Sequence, residues 1–113
     1  LAPVSFAEDS AGWEGVVDNY FKAAIKNQLI CASAVAIPKK VFNDVGYFPI
    51  GMARGEDLNM WLRIALKYDV AFSNNICVTY NQNADNRVCN DKVAYSKSFI
   101  SQVEDFFVNN LNF

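Results

Sequence analysis

The sequence predicts an α/β domain, with a mixed sheet of few strands packed by about three helices. Three observations carry this. Residues 29–37 form an unbroken apolar run without alternation, the pattern of a strand buried on both faces. Residues 56–68 carry apolar side chains around most of a helical circumference. Helical spacing also recurs before and after them, from Trp13 and again from Asp91.

The elements run in this order. Residues 1–7 read as an extended lead-in, and Asp9 or Ser10 could cap the first helix. Trp13, Val16, Val17, Tyr20, Phe21 and Ala24 predict that helix over about 13–27. The apolar run 29–37 predicts the buried strand, and it ends at Pro38. Residues 38–44 predict a short helix with proline in its first turn. Gly46 and Pro49-Ile50-Gly51 mark a loop. A helix over about 56–68 comes next. Residues 70–72 and 76–80 predict two short strands, joined by Ser73-Asn74-Asn75. The polar stretch 81–87 reads as a surface loop. From Asp91 a last helix carries Phe99, Ile100, Val103, Phe106, Phe107 and Leu111 on one face.

Composition bounds the function. At 113 residues the chain is one domain or part of one. It opens at Leu1 without an initiator methionine, which reads as a processed product or an excised segment. Apolar residues make up 52% and charged residues 19%, against averages of about 45–50% and about 25%. A piece of a larger domain with an exposed former interface has this balance, and so does an ordinary compact domain. Net charge is −2 and the basic residues are scattered, so a nucleic-acid partner is not expected. No apolar run approaches the ~20 residues that span a bilayer. Histidine is absent, and Cys31, Cys77 and Cys89 are odd in number with no Cys-x-x-Cys pair. These facts argue against a zinc site, a disulfide framework and a histidine-based triad. Reduced thiols, and hence a cytoplasmic location, are the simplest expectation.

Gly55-Glu56-Asp57 is where chemistry is expected. It delivers two carboxylates to the start of the apolar helix, where one could act as a general base. At about 100° per residue, Asn59, Arg63 and Lys67 form a narrow polar stripe. Glu56 points along that stripe, and Asp57 sits above Trp61 and Ile64 on the buried side. Asp57 is therefore the inward carboxylate. The plainer reading is that both favour the positive end of the helix dipole, a stabilisation of about 0.3–1 kcal/mol each. Glu8-Asp9, near the expected start of the first helix, and Glu104-Asp105, within the last helix, are further pairs that read as solvated.

The order over about 29–87 is strand, short helix, Val45-Gly46-Tyr47-Phe48 turn, Gly55-Glu56-Asp57, a helix holding Trp61 and Arg63, and a strand ending at Tyr80. It resembles the second half of a family 2 glycosyltransferase, an inverting nucleotide-sugar transferase with the GT-A fold. The resemblance implies that residues 1–113 are a C-terminal, acceptor-side part lacking the nucleotide-binding half. It casts Asp57 as the catalytic base, and Glu56, Arg54 and Arg87 as substrate-binding groups. Gly46, Phe48 and Gly55 would shape the loop. Arg54 also reads as a solvated loop arginine, and Trp61 as core rather than a sugar platform.

Where the family holds a metal and nucleotide with Asp-x-Asp, this chain has no such motif. Tyr80-Asn81-Gln82-Asn83 also lacks the histidine that many members place there, and the processive Gln-x-x-Arg-Trp signature is absent. No metal ligand or cofactor is therefore expected within the chain, with Mg or Mn expected in the full-length parent. The expected partners there are a nucleotide-sugar donor and a carbohydrate or lipid-linked acceptor, in polysaccharide biosynthesis. The parent would be cytoplasmic, or peripheral at the membrane. The chain alone is expected to be inactive and to self-associate through its uncovered apolar surface. The alternatives are a non-catalytic carbohydrate-binding or interaction domain of α/β fold, or a small complete α/β protein.

Overall fold

Helix α3, Glu56–Ala65, forms where the helical period is strongest, and it buries Met60 and Trp61. The computed structural model describes residues 12, 14–26, 29–87 and 90–103. Before α3 come β1 (Glu14–Val16), α1 (Tyr20–Lys26), a 3-10 turn (Ala32–Ala34) and α2 (Lys39–Val45). After it come β2 (Ala71–Ser73), a second 3-10 turn (Tyr95–Lys97) and the start of α4, described over 99–103. The molecule is thus a small α/β protein. Val17, Val41 and Met52 are buried along with Met60 and Trp61.

Among the described residues the sheet has two strands. β1 and β2 pair antiparallel, with Glu14 opposite Ser73, Gly15 opposite Phe72 and Val16 opposite Ala71. Val17 N–H extends the ladder to Val70 O at 2.8 Å. At the other end the Glu14 carboxylate accepts from Ser73 Oγ at 3.0 Å and Asn75 Nδ2 at 2.9 Å.

The N-terminal helix begins later than its spacing predicts. Residues 14–16 go into the ladder, and the helix starts at Tyr20. Two causes are visible. Gly15 is a poor helix former, by about 1 kcal/mol against alanine. Asn19 supplies the cap instead, accepting Lys22 N–H on Oδ1 at 2.9 Å. Asp9, Ser10 and Trp13 lie outside the described residues.

The largest departure is at 29–37, which is not a strand. A tight turn interrupts it, closed by Ala34 N–H to Cys31 O at 2.8 Å. Residues 76–80 likewise form no strand. An apolar run satisfies one condition for a strand, burial, but a ladder needs a neighbour as well. Among the described residues no strand lies beside either segment.

α2 forms as expected, but Pro38 stands at its N-cap rather than within its first turn. Gly46 ends it at φ +82°, donating N–H to Phe42 O at 2.9 Å. Its ψ of 179° lies outside the αL well, in a region that essentially glycine alone occupies. α2 is fastened to the end of α3. Lys67 Nζ donates to Asp44 O at 2.9 Å, and Tyr68 OH donates to the Asp44 carboxylate. Phe106, Phe107 and Leu111 of the last helical face lie outside the described residues.

Candidate functional site

The α2–α3 loop carries the two carboxylates, and three contacts set its shape. Arg63 makes the first. From the third turn of α3 it donates to Val45 O and, at 2.7 Å, to Tyr47 O. Its Nε donates to Asn59 Oδ1 at 2.9 Å, which holds the guanidinium along the helix. Burial pushes the Arg63 pKa down from its ordinary value. Gly46 lies between the two carbonyls, and a Cβ there would stand 3.2 Å from Arg63 Nη1. Glycine is needed both for that approach and for the positive φ.

Phe48 makes the second contact. Its ring meets Trp61 edge-on at 6.0 Å between centroids, and Phe42 at 6.4 Å. Trp61 is 3% exposed, so it is core.

The third lies at the helix start. Residues 53–55 run beside 97–99, with Ala53 N–H to Lys97 O and Phe99 N–H to Arg54 O, both at 2.9 Å. Arg54 and Ser98 form a parallel bridge. Gly55 then turns the chain at φ +80°, and a Cβ on it would lie 2.5 Å from Phe99 Cβ.

These contacts deliver Glu56 and Asp57 as the first two residues of α3. Glu56 is exposed and Asp57 is half-buried. Asp57 Oδ1 accepts Leu58 N–H at 2.8 Å, one of the first-turn donors that a helix leaves without an internal partner. Asp57 Oδ2 has no hydrogen-bond partner among the described residues. Tyr20, at the head of α1, lies in the field of Asp57. Burial raises its pKa first, and the Asp57 charge raises it further.

The arginines are engaged elsewhere in the fold. Arg54 Nη2 donates to Asp91 O at 2.9 Å, which ties the loop to the segment before the second 3-10 turn. Arg87 Nη1 donates to Gln82 O at 2.9 Å, and its guanidinium lies 5.5 Å above the Tyr80 ring. Among the described residues no group of three or more histidine, cysteine or acidic side chains could hold a metal ion. Nor is any described helix long and apolar enough to cross a membrane.

The chain matches no protein-family model, no curated protein and no solved structure.

The sequence reading gives Arg63 no task and counts Tyr20 as one apolar helix position. A signal for Arg63 was present. Asn59, Arg63 and Lys67 are the polar stripe of an otherwise apolar helix, and a polar stripe on a packed helix needs partners. Tyr20 left no such signal, because its approach to Asp57 depends on where α1 packs.

Proposed function

We propose that the chain is the acceptor-side part of an inverting family 2 glycosyltransferase of GT-A fold, with Asp57 as its general base. The observation that carries the reading is the presentation of Asp57. It is the second residue of α3, directly after a turn at 53–55 that is bonded to 97–99, with one carboxylate oxygen bound to the backbone. A fixed carboxylate within reach of a hydroxyl is what base catalysis requires.

In the reaction, Asp57 takes the proton of an acceptor hydroxyl as that oxygen attacks the anomeric carbon. The bond to the nucleoside diphosphate breaks on the opposite face, and the electron pair leaves with the phosphate. The anomeric centre inverts. Glu56 contacts the acceptor, while Arg54 and Arg87 meet the diphosphate. Mg or Mn and the nucleotide are held by the donor half of the parent, and this chain alone transfers no sugar.

Asp57→Asn in the full-length parent tests the assignment. Transfer should fall by about 10³-fold while nucleotide-sugar binding stays within a factor of about two, since a general base contributes ~10²–10⁴-fold. Retained turnover would sink it.

One observation favours a second reading, a non-catalytic carbohydrate-binding or interaction domain. Asp57 Oδ1 accepts Leu58 N–H, the work of a first-turn helix cap. On that reading Asp57→Asn changes stability and leaves transfer by the parent intact.

A further inference from the structure

The α2–α3 loop presents an aromatic ring that has no task in holding the carboxylates. Tyr47 is 66% exposed, and its ring lies on Phe42 of α2 at 5.5 Å between centroids and 15° between planes. Phe42 thus backs one side of the ring in an offset stack, and most of the side chain stays open to solvent. The backbone beneath it is fixed as well. Arg63 Nη2 donates to Tyr47 O at 2.7 Å, and Gly46 just before it is closed in by the same guanidinium. A ring held at its backbone and at its back loses little freedom when a ligand meets it.

Arg63 also sets where the ring stands relative to the carboxylates. The guanidinium that binds Tyr47 O binds Asn59 Oδ1 through Nε at 2.9 Å. Asn59 is three residues after Glu56, about 4.5 Å along the axis of α3. At about 100° per residue, Glu56, Asn59 and Arg63 lie within about 60° of one another around that axis. Tyr47 is therefore tied to the side of α3 on which Glu56 stands.

The chemistry on that side favours one class of ligand. Arg63 and Lys67 donate to the backbone carbonyls of residues 44, 45 and 47. Glu56 is exposed, and neither its carboxylate nor the Tyr47 hydroxyl has a hydrogen-bond partner among the described residues. A carboxylate repels the phosphates of a nucleotide and accepts from hydroxyls. A wholly apolar ligand would desolvate it without pairing it. A sugar ring supplies hydroxyl donors at its rim. On its face it supplies C–H groups, polarised by the ring and hydroxyl oxygens, to set against the negative face of an aromatic ring.

We propose that Tyr47 is a stacking platform for a neutral sugar ring, with Glu56 accepting from hydroxyls of the same ligand. The proposal rests on the carbohydrate recognition that both readings above share, and it does not require Asp57 to act as a base.

Titration of the whole chain with cellohexaose tests it, because the equatorial substituents of that oligosaccharide leave C–H groups on both ring faces. Saturation-transfer NMR detects the contact, and circular dichroism confirms that each variant folds. The wild type should bind with saturation. Tyr47→Ala should weaken binding by about tenfold, the worth of an aromatic contact, while keeping the backbone carbonyl that Arg63 holds. Tyr47→Phe keeps the ring and should stay within about threefold of wild type. Glu56→Ala should weaken binding by about fivefold through the lost hydrogen bond. Absence of saturable binding overturns the proposal, and so does binding that Tyr47→Ala or Glu56→Ala leaves unchanged. A Tyr47-dependent preference for uridine diphosphate over cellohexaose overturns it too, since the ring would then serve a nucleobase. The base assignment fails separately, through retained turnover of the Asp57→Asn parent.

Discussion

Arg63 spans three parts of the chain from one side chain. It reaches Asn59 on its own helix and the carbonyls of Val45 and Tyr47 on the loop. A guanidinium presents a planar fork of donors, whereas an ammonium presents a single point. Arg63→Lys should therefore keep the charge and lose the geometry. A hydrogen bond from a charged group contributes ~1.5–3 kcal/mol, so a loss of about 2–3 kcal/mol is expected. Urea unfolding measures it as a lower midpoint at unchanged slope. A loss below about 0.5 kcal/mol would show that the clamp does not hold the loop.

Tyr20 and Tyr68 give the residue scale a pH dependence. The pKa of each is raised above the ordinary 10.0, Tyr20 by burial and then Asp57, Tyr68 by its hydrogen bond to Asp44 and then by burial. The folded state therefore favours the neutral phenols. Their contribution is complete below pH 10.0 and is lost as pH rises through the higher folded values. Asp57→Asn removes one of the two causes at Tyr20. Its phenol should then titrate earlier, though still above 10.0, because burial remains. Tyrosinate absorbance in wild type, Asp57→Asn and Tyr20→Phe tracks it. An unchanged Tyr20 titration in Asp57→Asn would place the two side chains out of each other's field.

At the scale of elements, the two loop glycines share nearly the same φ but face different obstacles. The Cβ of Gly46→Ala would meet the far end of a flexible arginine at 3.2 Å. The Cβ of Gly55→Ala would meet Phe99 Cβ at 2.5 Å, an atom fixed to the backbone. Gly55 sits in the αL well, where a side chain costs ~1–2 kcal/mol, and Gly46, at ψ 179°, in a region nearly reserved for glycine, where it costs ~1–3 kcal/mol. Gly55→Ala should cost about 1–2 kcal/mol more, since the backbone of α4 must shift. Thermal or urea unfolding of the two variants, side by side, decides it, and equal losses would contradict the clash. Phe99→Ala should not rescue Gly55→Ala, because alanine keeps the obstructing Cβ.

The same scale shows what could be read in advance. α3 and α2 were legible because their signals are local: period, proline before the start, glycine after the end. The difference between Glu56 and Asp57 was legible for the same reason, since angle is set by position along a helix. The strands were not. Residues 29–37 have the composition of a buried strand and no strand neighbour among the described residues, while Glu14-Gly15-Val16 looks helical and pairs with β2. Pairing is decided by segments distant in the sequence. The Arg54 contact with Asp91 and the approach of Tyr20 to Asp57 were hidden for that reason too.

For the whole molecule, the radius of gyration is 15.7 Å, against about 13 Å for a compact domain of this length. Among the described residues few side chains are buried, and Ile50 and Ile76 are almost fully exposed. Exposed apolar surface of this kind is what the self-association expected from the sequence would cover. If two copies associate, apparent stability depends on concentration, because association favours the folded state by mass action. The melting temperature should then rise with protein concentration, and a constant value would count against association.

The pairing of 53–55 with 97–99 has a consequence for the order of events during synthesis. α3 can wind as soon as its own residues have emerged, because its bonds are local. The glycine turn in front of it packs on Phe99, which is made tens of residues later. Until then that turn lacks its backing, because the residues that supply it have not yet been made. The helix is therefore built first, and the ribosome must pass Phe99 before the frame around Glu56 and Asp57 is finished.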